Sequence, residues 1–128
     1  MVLLAIVAGD ADFRATVSDV LVEEGFSVSE LDAGRGVELI RRLRVLRPDL
    51  VLFDLAPMRR GDWEEFLRAK EADPEVASIP ILAMTSIRPV PQLESVAAVI
   101  PKPFDLDELI ACVERCISGQ ARASGSHG

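Results

Sequence analysis

The chain has 128 residues, 49% of them apolar and 27% charged, which is enough for one domain around one core. Its net charge of −7 argues against a general nucleic-acid partner, which needs a basic surface. No apolar run approaches the roughly 20 residues of a membrane-crossing helix, and the opening MVLLAIVAGD has neither a basic leader nor a small-residue cleavage site, so no membrane partner is expected and the location reads as cytoplasmic.

In chain order, short apolar runs alternate with segments of helical period. Residues 2–7 predict a buried strand. Phe13, Val17 and Leu21 then recur at helical spacing, and Gly25 closes that helix. Residues 26–31 alternate as a second strand. Val37, Ile40 and Leu43 mark a second helix, closed by Pro48. Residues 50–55, LVLFDL, predict the third strand. A third helix is expected from Asp62, with Glu65 completing a capping box and Trp63, Phe66 and Leu67 on its apolar face. Residues 79–85 predict a fourth strand and residues 96–100 a short fifth. The last helix opens at Asp105, with Glu108 as its capping acid. It buries Leu109, Ile110, Val113 and Ile117 and is expected to stop at Gly119, before a disordered tail over 120–128.

Strands alternating with helices predict an α/β fold: a five-stranded parallel sheet with helices on both faces, in the flavodoxin-like arrangement. Working residues in such sheets gather at the carboxyl ends of the strands. Those ends carry Asp10, Asp54, Thr85 with Ser86, and Lys102. An acid that ends a fully apolar run, as Asp54 does, is costly to bury without a partner or a function. A carboxylate can attack phosphorus and carry an acyl phosphate, while an ammonium and a hydroxyl hold phosphate oxygens. The plainer alternative is an Asp54–Lys102 ion pair with Thr85 as a bystander.

Three segments carry a family resemblance over residues 2–119: RPDLVLFDL around Asp54, IPILAMTS around Thr85 and IPKPFDLDEL around Lys102. The chain resembles the receiver domains of bacterial two-component response regulators, CheY-like single domains of similar length. The resemblance implies a phosphorelay switch and not an enzyme acting on a diffusible substrate. It places the phosphoacceptor on Asp54, the phosphate-sensing hydroxyl on Thr85 and the phosphate-binding lysine on Lys102, with a cis peptide between Lys102 and Pro103. It implies Mg²⁺ as cofactor, held by Asp54 and the backbone carbonyl of Ala56. It also implies a sensor histidine kinase or phosphotransfer protein as donor and a downstream protein target, with a homodimer through the last strand and helix as a further option.

The chain departs from that pattern in several places. Ala8 and Gly9 stand where the family has two adjacent acids. Asp10, just after them, reads as a helix cap or first-turn acid, with a displaced metal ligand as the alternative. Weak or absent Mg²⁺ binding and slow phosphorylation are therefore expected. The loop after Asp54 reaches Pro57 early. Pro89 and Pro91 disfavour a regular helix between the fourth and fifth strands, so the family's fourth helix should be shortened or absent. Val99 occupies the position of the aromatic switch residue. A phosphorylation-independent pseudo-receiver is the alternative function, and a flavodoxin-like small-ligand protein or enzyme a third.

The remaining signals read as structural. Arg35, Arg41, Arg42, Arg44 and Arg47 suggest a solvated helix face, with a docking patch for an acidic partner as the alternative. Arg59 and Arg60 could meet a partner or a phosphate. Cys112 and Cys116 read as reduced thiols, and the only histidine, His127, lies in the polar tail, so no metal cluster is expected from them.

Overall fold

The computed structural model describes residues 1–32, 34, 36–56 and 59–126, with side chains described to residue 119. The elements run β1 (Leu3–Val7), α1 (Ala11–Glu23), β2 (Ser27–Leu31), α2 (Gly36–Leu46), β3 (Leu50–Asp54), α3 (Arg60–Ala72), β4 (Ile81–Thr85), β5 (Ala98–Pro101) and α4 (Leu106–Ser126). The five strands are parallel and ordered β2-β1-β3-β4-β5, the flavodoxin-like order with its switch point between β1 and β3.

The two-residue period of each strand divides the core into two layers. Ala5, Val7, Val51, Phe53, Ile81 and Ala83 pack on Leu39, Leu43, Trp63 and Phe66 of α2 and α3. Leu4, Ile6, Leu50, Leu52, Leu82 and Met84 pack on Val17, Leu21, Leu109 and Val113 of α1 and α4. Both faces of the central strands are covered, which is why they read as continuous apolar runs with no alternation.

Local chemistry sets the helix ends. Asp10 caps α1, its Oδ1 accepting from the Asp12 and Phe13 N–H groups at 2.9 and 3.1 Å. Gly25, at φ 99°, closes the helix: Phe26 N–H donates to Leu21 O and Gly25 N–H to Val22 O, a Schellman motif. In α4 the Glu108 carboxylate accepts weakly from Asp105 N–H, at 3.5 Å.

Several boundaries differ from the sequence expectation. α3 starts at Arg60, two residues before Asp62, because the Arg59 carbonyl accepts from Asp62 and Trp63 N–H; Arg59 makes no side-chain cap bond, and Asp62 is a first-turn acid. The expected Asp62–Glu65 capping box is therefore not the start of this helix. α4 continues as helical backbone past Gly119 to Ser126. Each of the two glycines in this helix, Gly119 and Gly125, costs only about 1 kcal/mol, and Ala121, Arg122 and Ala123 between them are good helix formers. β1 to β4 are shorter than expected by one or two residues, and β5 starts two residues later and ends one residue later than expected.

Residues 86–97, between β4 and β5, contain turns and bends and no helix. Pro89 and Pro91 remove two N–H donors and restrict the residues before them, as expected. The described residues thus form four helices where the doubly wound pattern would give five. No helix among the described residues is long and apolar enough to cross a membrane.

Candidate functional site

The carboxyl ends of β1, β3 and β5 open into one cleft of about 440 Å³, lined by Gly9, Asp10, Phe13, Asp54, Ala56 and Lys102. Asp54 ends β3, where pairing with Met84 of β4 places it at the mouth of the sheet. Its side chain is only 3% exposed. The Oδ1 atom accepts from Ala56 N–H at 3.1 Å and from the Lys102 ammonium at 2.9 Å. Oδ2 has no hydrogen-bond partner among the described residues.

Lys102 is held on several sides. Its Nζ lies 4.2 Å from the centroid of the Phe13 ring, a cation–π contact from the first turn of α1. Its N–H donates to Thr85 O at 2.7 Å, extending the β4–β5 ladder. Its carbonyl accepts from the Arg88 guanidinium. The Lys102–Pro103 peptide is cis, as the resemblance implied, and so is Arg88–Pro89.

Thr85 stands one strand over from Asp54 and is fully buried. Its hydroxyl oxygen accepts from Ile87 N–H at 2.9 Å. Asp54 and Lys102, 48 residues apart in sequence, meet directly. Thr85 adjoins them through the backbone, with its side chain turned to its own loop. Asp10 lines the same cleft while capping α1. Val99 is half-buried in β5, packed toward the α2–α3 layer.

Sequence reasoning missed three participants. Phe13 looked like a core residue of α1, and only the tertiary contact puts its ring under the Lys102 ammonium. Arg14, also on α1, donates from Nη1 to Ala8 O at 2.6 Å and lies 3.4 Å from Glu30 through Nε, pinning the end of β1 to β2. Arg88 carried no motif at all. Trp63, by contrast, lies in a separate cleft beside Leu67, Gln92 and Leu93, so its nearness to Asp54 in sequence does not make it part of the site. Its Nε1 is buried without a hydrogen-bond partner among the described residues.

The arginines divide by partner. Arg44 bridges Asp73 and Glu75, and the Arg44 guanidinium holds the Asp73 carboxyl below the usual carboxylate value. Arg60 pairs with Glu64 at 3.5 Å and lies over the Trp63 ring at 6.0 Å. Arg35, Pro57 and His127 lie outside the described residues. Cys112 and Cys116 are buried free thiols, and burial pushes the Cys116 thiol up to about 11. Among the described residues no cluster of three or more His, Cys, Asp or Glu side chains could hold a metal.

A doubly wound five-stranded sheet with a carboxylate and an ammonium bridged at its switch-point mouth defines a flavodoxin-like domain of the CheY type. No protein-family model matches the chain. It is 29% identical over 112 residues to the transcriptional regulatory protein PdtaR of Mycobacterium tuberculosis, a match covering 85% of this chain and 53% of PdtaR. It is 27% identical over 118 residues to the DNA-binding transcriptional regulator NtrC of Klebsiella pneumoniae, covering 88% of this chain and 24% of NtrC. The chain therefore spans about half the length of PdtaR and a quarter of NtrC.

Among solved structures, the signal receiver domain of a signal transduction histidine kinase from Syntrophus aciditrophicus superposes with a TM-score of 0.77 at 27% identity, covering 93% of this chain and 92% of that one. The chemotaxis response regulator CheY4 of Vibrio cholerae shares the fold, with a TM-score of 0.75 at 22% identity over 91% of this chain and 98% of that one. In sequence and fold the chain is similar to response regulator receiver domains.

Proposed function

We propose that this receiver carries its phosphoryl group on Asp54 and works with a weakened Mg²⁺ site. The observation that supports this reading most is the state of the Asp54 carboxylate. Oδ1 is held by Ala56 N–H and Lys102, while Oδ2 has no hydrogen-bond partner among the described residues, at a cleft large enough for a phosphoryl group. In the step proposed, a carboxylate oxygen of Asp54 attacks the phosphorus of a phosphohistidine on a sensor kinase or phosphotransfer protein. The P–N bond breaks, its electron pair returns to the imidazole, and an acyl phosphate remains on Asp54. Lys102 then moves its ammonium from the carboxylate to a phosphoryl oxygen, and the Thr85 hydroxyl turns from Ile87 to donate to another.

Asp10, Asp54 and Ala56 line the cleft; the two carboxylates, with the Ala56 carbonyl, would be the minimum donor set for Mg²⁺ completed by water and phosphate. These residues fit a weak site, because Asp10 Oδ1 already accepts two N–H groups and Asp54 already faces an ammonium. Bound there, Mg²⁺ would neutralise charge on the transferring phosphoryl group. The unit is a cytoplasmic switch over residues 1–119 and not an enzyme on a diffusible substrate. It passes its state to a downstream protein, with β5 and α4 as the surface for a homodimer.

The test is phosphate incorporation from acetyl phosphate across an Mg²⁺ titration, with Asp54→Asn as control. Stoichiometric labelling that needs Asp54 and a high Mg²⁺ concentration is expected. Labelling that survives in Asp54→Asn, or none at saturating Mg²⁺, overturns the proposal. The second reading, a phosphorylation-independent interaction module, is favoured by the 2.9 Å Lys102–Asp54 bridge, which satisfies both charges without a metal. Absence of labelling, together with downstream binding equal for wild type and Asp54→Asn, would select it.

A further inference from the structure

Every polar group of Lys102 is engaged, and the engagement runs through a segment that has no helix to hold it. Residues 86–97 lack the i→i−4 ladder a helix between β4 and β5 would supply. In its place Thr85 Oγ1 accepts from Ile87 N–H at 2.9 Å, and Arg88 Nη1 donates to Ile87 O at 3.0 Å. The other arm of the same guanidinium, Nη2, donates to Lys102 O. Thr85 O meanwhile takes the Lys102 N–H at 2.7 Å. The lysine main chain is therefore tied on both its polar groups to residues 85–88, and its Nζ reaches Asp54.

We propose that Arg88 is a positioning residue: its planar guanidinium clamps the Lys102 carbonyl to the loop held by Thr85, and so aims the Lys102 ammonium at Asp54. A guanidinium suits this task because its donors form a rigid fork, so fixing one arm on Ile87 O directs the other. The clamp also gives Thr85 a mechanical link to Lys102. A Thr85 hydroxyl that lets go of Ile87 N–H loosens the loop that carries Arg88, and with it the Lys102 main chain. The catalytic significance of the clamp rests on the proposed role of Asp54. Its geometry does not.

The sequence contains only two lysines, Lys70 and Lys102, which makes a direct test available. A short pulse of acetic anhydride, read by peptide mass spectrometry, reports how firmly each ammonium is held. In Arg88→Ala the acylation rate of Lys102 should rise about three- to tenfold, the scale of losing one net hydrogen bond. Lys70, buried on α3, should keep its wild-type rate. An unchanged Lys102 rate, or a parallel rise at Lys70 showing general loosening, overturns the proposal. Acetyl phosphate labelling of the same proteins separates the two levels. Slower Asp54-dependent labelling in Arg88→Ala supports both. Faster Lys102 acylation in Arg88→Ala, beside a wild type that takes no phosphate, keeps the clamp and removes the phosphoacceptor reading.

Discussion

Replacing Lys102 by methionine keeps the length of the side chain and removes its charge. The Asp54 carboxylate, 3% exposed, would then keep, among the described residues, the Ala56 N–H as its one partner at 3.1 Å. Breaking a buried ion pair from one side costs about 3–5 kcal/mol, because the remaining charge is neither solvated nor paired. The Lys102 side chain is 22% exposed, so water already screens part of the interaction, and a loss of about 2–4 kcal/mol is the expectation. Asp54→Asn should cost far less, on the order of 1 kcal/mol or under, since the amide is neutral and the ammonium keeps the Phe13 ring and some water. In the double variant the two changes should not add: a coupling of about 1–3 kcal/mol is expected for side chains in direct contact. Urea unfolding followed by fluorescence of the buried Trp63 measures all four proteins. With a slope of roughly 1–3 kcal/mol per molar urea, the Lys102→Met midpoint should fall by about 1–2 M. The penalty should persist in 1 M salt, because a buried pair is screened little. A loss below about 0.5 kcal/mol with additive single variants would refute the claim that this contact is a desolvated, energetically coupled pair.

Three further expectations follow from other contacts. Asp10→Ala should cost about 1 kcal/mol through loss of the α1 cap, whereas Asp10→Asn should not; if Mg²⁺ affinity falls equally in both, the carboxylate also serves the metal, and if it is unchanged, Asp10 is a cap alone. The Asp73 carboxyl is held below its ordinary value of 3.8, chiefly by its hydrogen bond from Arg44, so that stabilisation is complete above 3.8 and is lost as pH falls through the folded value; thermal melts of wild type and Arg44→Ala should differ at neutral pH and converge in acid. Lys70 is pushed below its ordinary 10.5 by burial, its ammonium donating to Ala77 O at 3.0 Å. The unfolded chain then binds the proton more tightly than the folded one, so stability should rise with pH from the folded value up to 10.5. Lys70→Met should lack that rise in alkaline urea titrations, and an identical pH dependence in the two proteins would contradict it.

The layered sheet was legible because its signals are local. Apolar runs with two-residue sidedness, helix stripes at Val17 and Leu21 or Phe66 and Leu67, and stops at Gly25 and Pro48 each act over a few residues. Pro89 and Pro91, in a segment short for the family, led to the expectation of a shortened or absent helix between β4 and β5. Helix limits were less legible. The start of α3 depends on which carbonyl the first N–H groups reach, and α4 passed a glycine that costs little inside an otherwise helix-forming run.

Alone, the sequence determined the order of elements, the residue types at the strand ends and the absence of the paired acids at Ala8 and Gly9. Tertiary structure alone decided what those strand-end groups touch. Placing β3 between β1 and β4, with β5 beyond, closes Lys102 onto Asp54, slides the Phe13 ring beneath the ammonium and brings Arg88 to the Lys102 carbonyl. Periodicity and capping depend on neighbours along the chain, whereas a side-chain contact across 48 residues depends on how separate layers dock, which no local pattern encodes.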